Sequence, residues 1–155
     1  MNFTSPNIAP CGWIPCNFTC SGGNMIPAFQ WQCNPHAAYY AIIVDDPDAI
    51  PVVGKIFVHM NLFNIPSHVT SLSLNENYFS IPGVQALQND SESYGWFGPC
   101  PPEGDPPHKY RFSLFALKAE IILSPNDINF NLENFVDRYA HLIVNNSTWE
   151  AFYQR

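Results

Sequence analysis

The chain has 155 residues, of which 46% are hydrophobic and only 12% charged, and its formal net charge is -7. That balance suits one folded domain with a sizeable core and excludes intrinsic disorder, which needs low hydrophobicity and high charge. Six basic residues scattered between Lys55 and Arg155 exclude the cationic footprint that drives nucleic-acid binding or attraction to an anionic membrane surface.

Fifteen prolines and twelve phenylalanines favour strands and loops, because proline interrupts helices and aromatic rings suit pleated surfaces. Residues 1–35 are cut by prolines and glycines into short extended pieces, with one candidate strand at Ala28-Phe29-Gln30-Trp31. Ala37 to Val44 is apolar throughout and predicts a buried strand that stops at Asp45-Asp46-Pro47-Asp48. Lys55 to Asn64 predicts the next strand. Its alternation puts Ile56, Val58, Met60 and Leu62 on one face and Phe57, His59, Asn61 and Phe63 on the other. Residues 67–100 are poorly periodic, and a stretch of that length is functional or conceals short strands. Lys109 to Leu117 predicts a third strand, Ser124-Pro125 a turn, and Asn131 to Val144 one amphipathic helix. The expected architecture is a single mostly-β domain over residues 1–155, a β-sandwich with a peripheral C-terminal helix.

No apolar run reaches the roughly 20 residues that cross a bilayer, and Met1 to Pro10 lacks the basic and apolar regions of a signal peptide. The expectation is a cytoplasmic protein, in which the sequons at Asn2, Asn17, Asn145 and Asn146 have no use. In that compartment Cys11, Cys16, Cys20, Cys33 and Cys100 are expected to be thiols, with one or two disulfides as the alternative. Their spacings are not those of a zinc finger or ribbon.

Three segments carry the candidate chemistry: Asp46-Pro47-Asp48-Ala49, Phe57-Val58-His59, and Gly98-Pro99-Cys100-Pro101-Pro102-Glu103-Gly104 running on to His108-Lys109-Tyr110. Each sets a polar residue at a strand end or on its less apolar face, next to backbone fixed by proline. These motifs, with Phe3 to Pro6 (FTSP), IPCNFTCSGGN, and Asn64-Ile65-Pro66 in order around them, resemble the hallmark motifs of the phosphatidylethanolamine-binding proteins, or Raf-kinase-inhibitor-like proteins. The likeness is to the compact bacterial and archaeal branch and covers nearly the whole chain.

The resemblance implies a β-sandwich with a small pocket at one end that binds phosphate, phosphoethanolamine and similar anions. By position the ligand-binding residues are Asp46, His59, Pro102, His108 and Tyr110, with Phe57 in the wall. The chemistry agrees: two histidine N–H groups and a phenol can donate to an anion, and Asp46 can accept from a histidine and fix its tautomer. The chain departs from the family pattern at Ile50, where proline is usual, at Phe57, where tryptophan is usual, and at Lys109, where arginine is usual. The expected function is a monomeric anion-binding protein that regulates a partner such as a kinase or protease, with no catalysis, metal or cofactor. The alternatives are a metal-dependent hydrolase using Asp46, His59 and His108, and a structural protein with an unused pocket. Asp48 is expected to be a turn residue, Glu103 a solvated loop charge, and His36, His68 and His141 surface or capping residues.

Overall fold

A computed structural model describes residues 1–155. Seven strands form: β1 (Phe29–Gln30), β2 (Tyr39–Asp46), β3 (Phe57–Pro66), β4 (Ser71–Leu72), β5 (Gln85–Leu87), β6 (His108–Leu117) and β7 (Ile143–Tyr153). Two helices accompany them, the single turn α1 (Ile50–Val53) and α2 (Leu132–Tyr139). β1 and β4 make a small sheet, and the other five make an antiparallel sheet in the order β5-β3-β2-β6-β7. The architecture is mostly β and sandwich-like, as expected.

The large sheet is buried on both faces, which is why β2 and the middle of β3 are apolar rather than alternating. On one face Phe3, Phe29, Trp31 and Tyr40 from the N-terminal region pack with Phe112 and Trp149, the last two stacked with centroids 4.2 Å apart. On the other face Phe63, Phe115 and Phe130 pack under Phe135 and Tyr139 of α2. Arg111 pins that helix to the sheet. Its guanidinium donates twice to buried Asp45 at 2.7 Å and also to Glu133 of α2 at 2.6 Å, while Asp45 accepts the Leu132 N–H at 2.9 Å. A bidentate fork is what lets one arginine neutralise a carboxylate buried to this depth.

The structure corrects the C-terminal expectation. The helix begins where predicted, with the Asn131 side chain capping the Asn134 N–H at 2.9 Å, but it ends at Tyr139. Residues from Ile143 onward form β7, which pairs with β6 along its whole length. Ile143, Val144 and Thr148 are β-branched, and Trp149, Ala151 and Tyr153 alternate into the core. The pairing available along β6 outweighs the helical spacing of Leu142-Ile143.

Two β-bulges also depart from simple alternation. β2 pairs Val44 with Met60 but Asp45 with Val58, so His59 is an extra residue in β3. A second shift, between Tyr40 and Ile42, accommodates Asn64, whose φ is 57°. The face expected to carry Phe57, His59, Asn61 and Phe63 together is therefore divided. His59 lies against Tyr110 (centroids 5.3 Å), whereas Phe63 stacks on Phe135 across the sheet.

Candidate ligand pocket

At the end of the sheet where β2 stops and β6 starts, a cavity of about 330 Å³ opens to solvent. All six residues singled out from sequence, Asp46, Phe57, His59, Pro102, His108 and Tyr110, line it. Val52, Val53, Phe97 and Pro101 complete a largely apolar wall, to which Asp90, Ser91 and Cys100 also contribute.

Asp46 is fixed by its own motif. It caps the turn Pro47–Ala49, accepting the Asp48 N–H at 2.9 Å through one oxygen, and Pro47 presets the first turn residue. Its other oxygen accepts Nδ1–H of His108 at 2.7 Å. Asp48 is structural, as expected: its carboxylate accepts the Lys109 N–H at 2.8 Å, which ties the turn to the start of β6. Glu103, His36, His68 and His141 are solvent-exposed.

The two histidines occupy different electrostatic settings. His108 also donates Nε2–H to Asp105 at 3.1 Å, so both ring nitrogens serve carboxylates. Burial opposes its charge, but Asp46 and then Asp105 outweigh that and raise its pKa above the ordinary 6.5. His59 is 3% exposed, and burial pulls its pKa down to about 4 against the opposing bond to Phe97. Its Nδ1 lies 2.6 Å from the Phe97 carbonyl oxygen. A carbonyl can only accept, so Nδ1 carries the proton and Nε2 keeps a lone pair. Of the two histidine N–H donors the sequence offered, His59 is neutral and commits its N–H to the Phe97 carbonyl, whereas the carboxylates around His108 favour its charged form.

Tyr110 stands between them, with ring centroids 5.3 Å from His59 and 6.3 Å from His108. Burial, then the carboxylate of Asp46, raises its pKa, so the phenol keeps its proton. Its hydroxyl is buried and has no hydrogen-bond partner. Burial of Asp46 raises that carboxyl as well, against the pull of His108. Asp90, which the sequence did not single out, braces the far wall. Burial raises its pKa, but Lys55 at 2.7 Å, the Val58 N–H at 2.7 Å and Asn129 at 2.9 Å bring it below the ordinary value.

The loop from Phe97 to Pro102 is held against residues 17–25. Gly98 N–H donates to Asn24 at 2.7 Å, Cys20 N–H donates to the Pro99 carbonyl at 3.1 Å, and the Trp96 indole donates to the Phe18 carbonyl at 3.2 Å. Any Cβ on Gly98 would collide with the Phe18 carbonyl. This close approach brings Cys20 and Cys100, 80 residues apart, to a Cα separation of 5.4 Å and a disulfide. The thiol expectation is thus corrected for these two; Cys11, Cys16 and Cys33 are free and exposed. From the other side Arg155 donates to the Pro101 carbonyl at 2.7 Å. No three histidine, cysteine or carboxylate side chains stand where they could hold a metal ion, because the nitrogens of His108 and Nδ1 of His59 face separate protein partners.

An antiparallel sandwich with a proline-rimmed pocket at the strand ends, built on a buried Asp-His pair, defines a class of small β-proteins with one candidate site. The sequence profile of the phosphatidylethanolamine-binding protein family matches residues 4–153, and the chain belongs to that family. A UPF0098 protein of Methanothermobacter thermautotrophicus is 37% identical over 133 residues, covering 81% of this chain and 82% of that protein. LppC of Mycobacterium tuberculosis is 35% identical over 125 residues, covering 81% of this chain but 59% of LppC, so the chain spans about three-fifths of that relative's length. The crystal structure of Escherichia coli YbcL superposes with a TM-score of 0.83 at 29% identity, covering 99% of this chain and 97% of that one.

Proposed function

We propose that the pocket binds a small oxyanion, or the phosphate-type head of a larger molecule, and that the chain acts by binding rather than by catalysis. The observation that carries this reading is the Tyr110 hydroxyl: a buried, protonated donor in the pocket wall with no partner in the protein. Leaving such a group unpaired costs about 1–3 kcal/mol, a cost that a bound acceptor recovers. His108 beside it, whose charged form Asp46 and Asp105 favour, supplies positive charge when protonated, and neutral His59 can accept a hydrogen bond from a protonated ligand oxygen. The wall of Val52, Val53, Phe57 and Phe97 suits an apolar substituent on that anion. Binding rather than reaction is supported by the absence of an activated nucleophile. Cys100 is disulfide-bonded, and the Ser91 hydroxyl donates to Asn89 at 2.7 Å rather than to a histidine.

A protein partner such as a kinase or protease is the regulatory target we favour, with the ligand-filled pocket as the signal. No helix is long and apolar enough to cross a membrane. The Cys20–Cys100 bridge supports an oxidising compartment over the cytoplasm expected from sequence. The test is calorimetric titration with sulfate and with phenyl phosphate. A Tyr110→Phe variant, which removes only the hydroxyl, is expected to bind both about tenfold more weakly. Equal affinity in the variant and wild type would place the anion elsewhere.

A further inference from the structure

The two carboxylates on His108 are not equivalent. Asp46 is 4% exposed in its side chain, lies 2.7 Å from Nδ1 and is also bonded to the Asp48 N–H. The Asp105 side chain is 33% exposed and lies 3.1 Å from Nε2. That imidazole nitrogen is the only hydrogen-bond partner of the Asp105 carboxylate. The backbone of Asp105 is held independently: its N–H donates to the Pro102 carbonyl at 3.2 Å, and its carbonyl accepts from the Gln154 side chain at 3.0 Å. A side-chain rotation can therefore release this carboxylate to water without moving the loop.

We propose that Asp105 is an internal competitor for the pocket anion: its carboxylate holds the Nε2–H of His108 that a ligand oxyanion would take, and a ligand binds by displacing it. The inference rests on the anion-pocket reading above and specifies how that pocket discriminates. Asp46 stays in place to orient and charge the ring. The exchange replaces one oxyanion by another at Nε2, so a negative group faces this nitrogen in both states. The pocket therefore needs no unpaired cation while it is empty, which matters in a chain whose net charge is -7. An anion that makes no contact beyond His108 gains little from the exchange. One that also reaches the Tyr110 hydroxyl or the apolar wall gains enough to displace Asp105. Asp105 is in this sense a specificity-determining residue.

The experiment compares sulfate affinity of wild type, Asp105→Asn, Asp105→Ala and, as a charge control, Glu103→Gln. Glu103 lies on the same loop and is exposed, and the His108 ring bonds to Asp46 and Asp105 rather than to it. Both Asp105 variants are expected to bind sulfate about five- to tenfold more tightly than wild type, with Glu103→Gln within twofold of wild type. Affinity equal to or weaker than wild type in both Asp105 variants would overturn the competitor role while leaving the pocket assignment standing. So would an equal gain in Glu103→Gln, which would trace the effect to general charge. If neither wild type nor the Asp105 variants bind sulfate, the anion pocket itself is refuted, and this inference falls with it.

Discussion

Burial of neutral His59 makes the fold acid-sensitive in a defined window. Its pKa is about 4 in the folded protein against an ordinary 6.5. At 1.36 kcal/mol per pH unit, that difference is worth about 3 kcal/mol. The folded pKa of this base is depressed, so the unfolded chain takes up a proton that the fold refuses. Stability is therefore intact above pH 6.5, falls as pH drops from 6.5 to 4, and loses nothing further from this group below 4. The perturbation is His59→Gln, which removes the titrating ring and keeps an amide N–H that can donate to the Phe97 carbonyl. Urea unfolding of both proteins at steps from pH 7.5 to pH 4 gives a difference in which His108, Asp46 and the other titrating groups cancel to first order. The stability of wild type relative to the variant should decline by about 3 kcal/mol across that window. A difference that stays constant with pH would show that His59 titrates alike in the folded and unfolded chain, and would remove the burial shift assigned to it.

Three further outcomes follow from the same geometry. The Cys20–Cys100 bridge closes a long loop with a sequence separation of 80, for which the chain-entropy relation gives about 4.5 kcal/mol. A Cys20→Ala/Cys100→Ala double variant should lose stability on that scale in urea. Thiol labelling of denatured protein, followed by mass spectrometry, should find three reactive cysteines before reduction and five after; five before reduction would contradict the bridge. Sulfate affinity should hold steady between about pH 5 and 6.5 and decline above that as His108, whose pKa is raised, loses its proton. Calorimetry showing a steep fall centred below pH 6 would mean that His59 supplies the charge instead.

Much of this arrangement was legible in the sequence because the motifs are local. Asp46-Pro47-Asp48 is a capped turn whichever protein contains it, and the apolar runs of β2, β3 and β6 announce a sheet covered on both faces. The set Asp46, Phe57, His59, Pro102, His108 and Tyr110 came from family resemblance, and the structure gathers all six around one cavity. The misses share a cause: they depend on partners distant in the chain. The bulge at His59 is set by its register against β2, and alternation alone carries no sign of it. β7 reads as the tail of a helix until β6 lies beside it. The Cys20–Cys100 bridge follows from Gly98 packing on the Phe18 carbonyl, and compartment reasoning pointed the other way. The opposed pKa shifts of the two histidines come from the burial of His59 and from the Asp46 and Asp105 carboxylates on His108, and neither the depth of burial nor Asp105 carries a motif signal of its own.

The central claim is that an oxyanion occupies the cavity between His59, His108 and Tyr110. The most direct measurement is titration of isotope-labelled protein with phenyl phosphate, followed by amide and histidine side-chain NMR shifts. Saturable shifts are expected to concentrate at His59, Phe97, Gly98, Cys100, His108 and Tyr110 and to be lost or strongly weakened in Tyr110→Phe. Saturable shifts clustered instead on the outer face of β1 and β4, or no saturable shift in the folded wild-type protein, would contradict the central claim.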